Sequence, residues 1–200
     1  MRETNFEHTL PPHYRQVYHL DAKNKKVGIL FNLIALAVML VILGLASIPM
    51  IALGTSLWEF SPGEILLFPL LLILFMLAYM VLHELVHGIA YQLCTGQRLT
   101  FGVSWSCAFC GVPQIYTYRK IALIAVLAPF VIFGILLTAL CAVAFFVHPL
   151  FYLGAVILLG LHTGGCCGDL YVSILLLFKY RDPKTLMRDT GPEQFFYISE

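Results

Sequence analysis

Two histidines and a glutamate stand inside the apolar run VLHELVHGIAY at residues 81–91. His83 and His87 are four apart, so on a helix both imidazoles leave one face and can bind one metal ion. Glu84 lies between them, turned by about 100° from His83. That places it near enough to reach a water on the metal without ligating it. A zinc ion that does chemistry takes three protein ligands and keeps one position open. His83 and His87 supply two. Asp169 is the expected third, with His162 or Cys166 next in line.

The elements that must position these groups are set by composition. Hydrophobic residues make up 60% of the 200-residue chain, and charged ones only 12%. With a mean hydropathy of +0.87, lipid is the expected solvent. A helix needs about 20 residues to cross a bilayer. Four stretches meet that length, near 27–53, 65–96, 121–147 and 150–178. Within them only Glu84 and Asp169 are formally charged at neutral pH. An aspartate deep in lipid costs roughly 2.5–3.5 kcal/mol on an insertion scale, so each is a functional candidate.

Depth brings the two together. His87 precedes Arg98 by eleven residues, and Asp169 precedes Lys179 by ten. At about 1.5 Å per residue, both lie on the order of 15 Å in from the same ends of parallel helices. All twelve Lys and Arg fall on one side of the four spans. The positive-inside rule then places both termini and the 97–120 loop in the cytoplasm, as in a multi-pass protein of the cell membrane. The first apolar segment, from Val27, is too long for a cleavable signal peptide. A net charge of +1 points to no nucleic acid.

The expected fold is an all-α integral membrane protein with four transmembrane helices. Residues 1–26 form a cytoplasmic arm, 27–178 the membrane domain and 179–200 a cytoplasmic tail. The segment LTFGVSWSCAFCGVPQIYTY, rich in β-branched and aromatic residues, predicts a short cytoplasmic hairpin over 99–118, with strands near 99–105 and 112–118. Its free edge could hold an extended peptide. Cys107 and Cys110 form a single C-x-x-C, too few ligands for a structural zinc site. Gly160, Gly164 and Gly168 make a small-residue stripe that lets helices approach closely. His162 sits two turns from Asp169 and reads as an inter-helix hydrogen-bonding histidine. The tail piece EQFFYIS is expected either to dock on the hairpin edge or to lie on the bilayer surface.

Nearly end to end, the chain resembles small bacterial membrane proteins described as putative zincin peptidases, themselves similar to a minimal site-2 intramembrane protease. The resemblance is carried by LPPHYRQVYHLDAKNKK before the first span, HELVHG in the second, GDLY in the fourth, and the DP and FFYISE pieces of the tail. It implies Zn²⁺ on His83, His87 and Asp169, with Glu84 as general base. Asp169 stands where site-2 proteases carry an aspartate ligand on a later helix, although their Asn-Pro-Asp-Gly pattern is replaced here by CCGDLY. The implied activity is hydrolysis of a membrane-associated peptide or transmembrane-helix substrate. The alternative is a non-catalytic zinc-binding membrane protein that binds a partner or carries metal. Transport is disfavoured, because the first and third spans hold no formal charge and the outer half of the second is apolar.

Overall fold

The computed structural model describes residues 5–52, 54, 60–98, 100–103 and 108–200. Three long helices are α1 (Lys25–Ala52), α2 (Pro62–Thr95) and α3 (Arg119–Val147). Helix α2 starts with a capping box. The Ser61 N–H donates to Glu64 Oε2 at 2.9 Å and the Glu64 N–H donates to Ser61 Oγ at 3.3 Å. The fourth stretch is not one continuous α-helix. Helix α4 (Pro149–Gly165) ends at Cys166, α5 (Cys167–Ile174) follows, and one π-helical turn covers Leu175–Lys179. Among the described residues, these four stretches are long and apolar enough to cross a membrane.

The all-α expectation needs correction. A five-stranded antiparallel sheet is built from β1 (Phe6–Glu7), β2 (Tyr14–Asp21), β5 (Tyr116–Tyr118), β6 (Leu186–Asp189) and β7 (Glu193–Ser199). Its order is β1-β5-β6-β7-β2. The hairpin is present but shorter, pairing β3 (Thr100–Val103) with β4 (Ala108–Gly111). Its second strand was expected over 112–118. Pro113 falls inside that stretch and has no N–H to give a ladder, so the strand ends before it. Residues 116–118 pair instead with Phe6–Glu7 and with Leu186–Met187. The tail strand β7 lies between β6 and β2, not on the hairpin edge. Cys107 lies outside the described residues.

The chain divides into two compact units. One holds residues 1–30, 81–129 and 168–200, and with them the sheet, the hairpin and the second half of α2. Its core joins Ala90 and Tyr91 of α2 to Val112, Ile115, Ile121 and Ala125. The other unit holds 31–80 and 130–167. There the glycines of α4 let α1 come very close. A Cβ added to Gly164 would lie 2.6 Å from the Ala35 carbonyl oxygen, and one on Gly160 would lie 3.0 Å from Met39. Only a hydrogen in place of the side chain permits that approach.

Candidate metal centre

Three side chains converge in the first unit. His83 Nε2 lies 3.3 Å from Asp169 Oδ2, and His87 Nε2 lies 3.5 Å from the same oxygen. The three ligand atoms all fall within 4.8 Å of one another. Atoms held about 2.0–2.1 Å from a tetrahedral zinc stand roughly 3.3–3.5 Å apart, so the observed spacing fits such an ion. His83 and His87 meet because α2 is regular from Pro62 to Thr95, which stacks positions i and i+4 on one face. Asp169 arrives differently. It lies in the first turn of α5, just beyond the break at Cys166, where the positive end of the helix dipole favours a carboxylate.

Helix α3 supplies the tautomer of His87. Its Nδ1–H donates to the Ala125 carbonyl at 2.9 Å. A carbonyl only accepts, so Nδ1 carries a proton, and Nε2 is the nitrogen that faces Asp169 and is placed to ligate a metal. Ala125 is free to accept because the residue four positions on, which would bond it in a regular helix, is Pro129. Pro129 thus bears on the site through the Ala125 carbonyl it leaves open. A lone pair on Nε2 facing a carboxylate oxygen is a repulsive pairing unless a proton or a metal cation lies between them. The donor set can hold a metal ion, or a proton shared between imidazole and carboxylate when no metal is bound.

Glu84 takes a separate place. Its Oε2 accepts the backbone N–H of Cys110 in β4 at 2.9 Å. The Cys110 thiol is buried there. Burial pushes its pKa up to about 11, helped by the negative charges of Glu84 and Asp189.

His162 and Cys166 lie in the other unit, beside Tyr79 and Phe130. His162 Nε2–H donates to the Phe130 carbonyl at 3.2 Å, and Nδ1 accepts the Tyr79 hydroxyl at 2.7 Å. Cys166 Sγ lies 3.6 Å from the same Nδ1. Both ring nitrogens of a neutral imidazole are satisfied by protein groups. Sequence reading singled out His83, Glu84, His87 and Asp169, of which the two histidines and the aspartate meet in the structure. It missed Ala125, Pro129 and the Cys110 amide. Only Pro129 left a trace, as a proline inside an apolar helix.

A family model described as putative zincin peptidase matches residues 76–183, more than half of the chain, including His83, Glu84, His87 and Asp169. Neither the curated proteins nor the solved structures give a match.

Proposed function

Because the chain belongs to the family described as putative zincin peptidases, we propose that it is a zinc metallopeptidase that hydrolyses a membrane-associated peptide or transmembrane-helix segment. The convergence of His83 Nε2, His87 Nε2 and Asp169 Oδ2, with Glu84 beside them but outside the set, carries this reading. Bound zinc would supply a Lewis acid that polarises the scissile carbonyl and makes water acidic near neutral pH. His83, His87 and Asp169 would hold it, with His87 oriented by Ala125. Glu84 would accept the proton of the attacking water and pass it to the departing amine as the C–N bond breaks. The Cys110 N–H keeps that carboxylate in one orientation.

Four helices apolar enough to cross a membrane carry the reading into the bilayer. With all twelve basic residues at one end of those helices, both termini and the 97–120 segment would face the cytoplasm of a multi-pass cell-membrane protein. A substrate helix would have to unwind locally to offer a carbonyl.

Glu84→Gln tests this. The amide keeps the shape and leaves the metal ligands alone but cannot take a proton. Metal analysis of the purified variant should find zinc near the wild-type content. Cleavage of a quenched-fluorescent apolar peptide in proteoliposomes should fall by about 10² or more. Full cleavage by zinc-loaded Glu84→Gln would end the mechanism. A zinc-loaded wild type that cuts nothing would leave only metal binding.

A further inference from the structure

The tail contributes a buried acid that the chemistry above does not use. Asp189, at the end of β6, is only 6% exposed. Its Oδ2 accepts the Tyr91 hydroxyl at 2.8 Å, and its Oδ1 accepts the Gly191 N–H at 2.8 Å and the Gln194 side-chain amide at 3.5 Å. Its backbone carbonyl accepts the Val112 N–H at 2.9 Å. Tyr91 is fully buried and lies seven residues after Glu84, two turns along the same face of α2. Val112 directly follows β4, whose Cys110 amide holds Glu84. One residue thus grips both the helix that carries Glu84 and the strand that caps it.

The contact with the strand is tight. A Cβ on Gly111 would lie 2.6 Å from the Gly191 nitrogen and 2.8 Å from the Thr190 carbonyl carbon. The turn on the tail side is itself fixed. Thr190 N–H donates to the Glu193 carbonyl at 3.0 Å, and the Gln194 amide donates to the Gly191 carbonyl at 2.8 Å. Gly191 has φ +94°, which other residues rarely adopt. Nearby, Arg188 Nε–H donates to the Pro113 carbonyl at 2.8 Å. Burial raises the Asp189 carboxyl above its usual range, partly offset by the Gly191, Tyr91 and Gln194 donors, so it is held at some cost.

We propose that Asp189 is a positioning residue for Glu84. By tying Tyr91 of α2 and Val112 beside β4 to one carboxylate-bearing turn, it sets the distance at which the Cys110 amide meets the Glu84 carboxylate. The C-terminal segment is then part of the machinery that orients the base. This inference rests on the proposed role of Glu84, but its physical content can be measured without cleavage.

The test is amide hydrogen exchange of the 108–112 segment in the purified full chain, with zinc content, and kcat and KM on the quenched-fluorescent peptide. Glu84→Ala is the direct control and should speed exchange of the Cys110 amide about tenfold. Asp189→Ala and Gly111→Ala should do the same with zinc retained, and should lower kcat about tenfold at unchanged KM. Asp189→Asn, which keeps an acceptor oxygen, should restore part of the protection. If Asp189→Ala does not fold, Gly111→Ala and the milder Tyr91→Phe carry the test. Wild-type exchange at Cys110 in folded Asp189→Ala, or in both Gly111→Ala and Tyr91→Phe, would overturn the proposal. A wild type that cleaves nothing while the exchange coupling holds would sink the peptidase reading and leave the positioning intact.

Discussion

Two buried histidines in apolar helices, His87 and His162, face opposite bonding problems. Both give one N–H to a backbone carbonyl, Ala125 for His87 and Phe130 for His162. They differ at the other nitrogen. His162 Nδ1 meets a hydroxyl that can donate to it, at 2.7 Å. His87 Nε2 meets a carboxylate oxygen that cannot, at 3.5 Å. One ring is complete as a neutral imidazole, while the other needs a second proton or a metal ion between it and Asp169. Spacing and burial alone would not separate them, because the difference lies in whether the second partner donates or accepts.

The surroundings repeat the contrast. His162 belongs to a unit built for close packing, where α4 meets α1 through glycine. His87 belongs to a unit where polar groups are anchored by strands and a tail turn. Gly164→Ala should therefore damage the first region and leave the chemistry of the second alone. Its Cβ would overlap the Ala35 backbone, which neither helix can yield cheaply. The expected loss is about 1–3 kcal/mol, read as a lower midpoint in thermal unfolding in detergent. Zinc content of the folded protein should be unchanged. A variant as stable as wild type would break the packing half of the comparison.

Pro129→Ala acts on the second region. It returns an N–H that can compete with His87 for the Ala125 carbonyl. Loss of such an orienting partner typically costs about 10–100-fold in metal affinity. The lower end is expected here, since a carbonyl can accept two bonds. Zinc affinity measured by chelator competition checks it, and an unaltered value would show that the proline is only a packing residue.

The smallest effect concerns Cys110. Its thiol, raised to about 11, is scarcely ionised at pH 8 and should react slowly with iodoacetamide. The next cause after burial is the charge of Glu84, so Glu84→Gln should speed alkylation only a few-fold. An unchanged rate would mean that Glu84 carries no charge there.

How much of this was legible beforehand follows from range in sequence. The long helices α1, α2 and α3 were readable to within a few residues, because lipid-length apolar runs are a local signal. His83 and His87 were readable from their i, i+4 spacing, and Asp169 from the scarcity of charge around it. The sheet was not. Its strands are short, and Thr117 pairs with Phe6 on one side and Met187 on the other, a union of arm, loop and tail that no local pattern announces. The break at Cys166 was hidden inside an apolar stretch, although the glycines at 164, 165 and 168 marked where a helix is weakest. The Cys110–Glu84 bond joins residues 26 positions apart through a backbone amide, which every residue but proline carries.

The central claim is that the cation sits on His83, His87 and Asp169 and that His162 is a packing histidine. Zinc per chain, measured on purified wild type, Asp169→Ala and His162→Gln side by side, tests it most directly. The account predicts about one zinc in wild type, most of it lost from Asp169→Ala and all of it kept by folded His162→Gln. Full zinc in Asp169→Ala, or its loss from folded His162→Gln, would contradict the account.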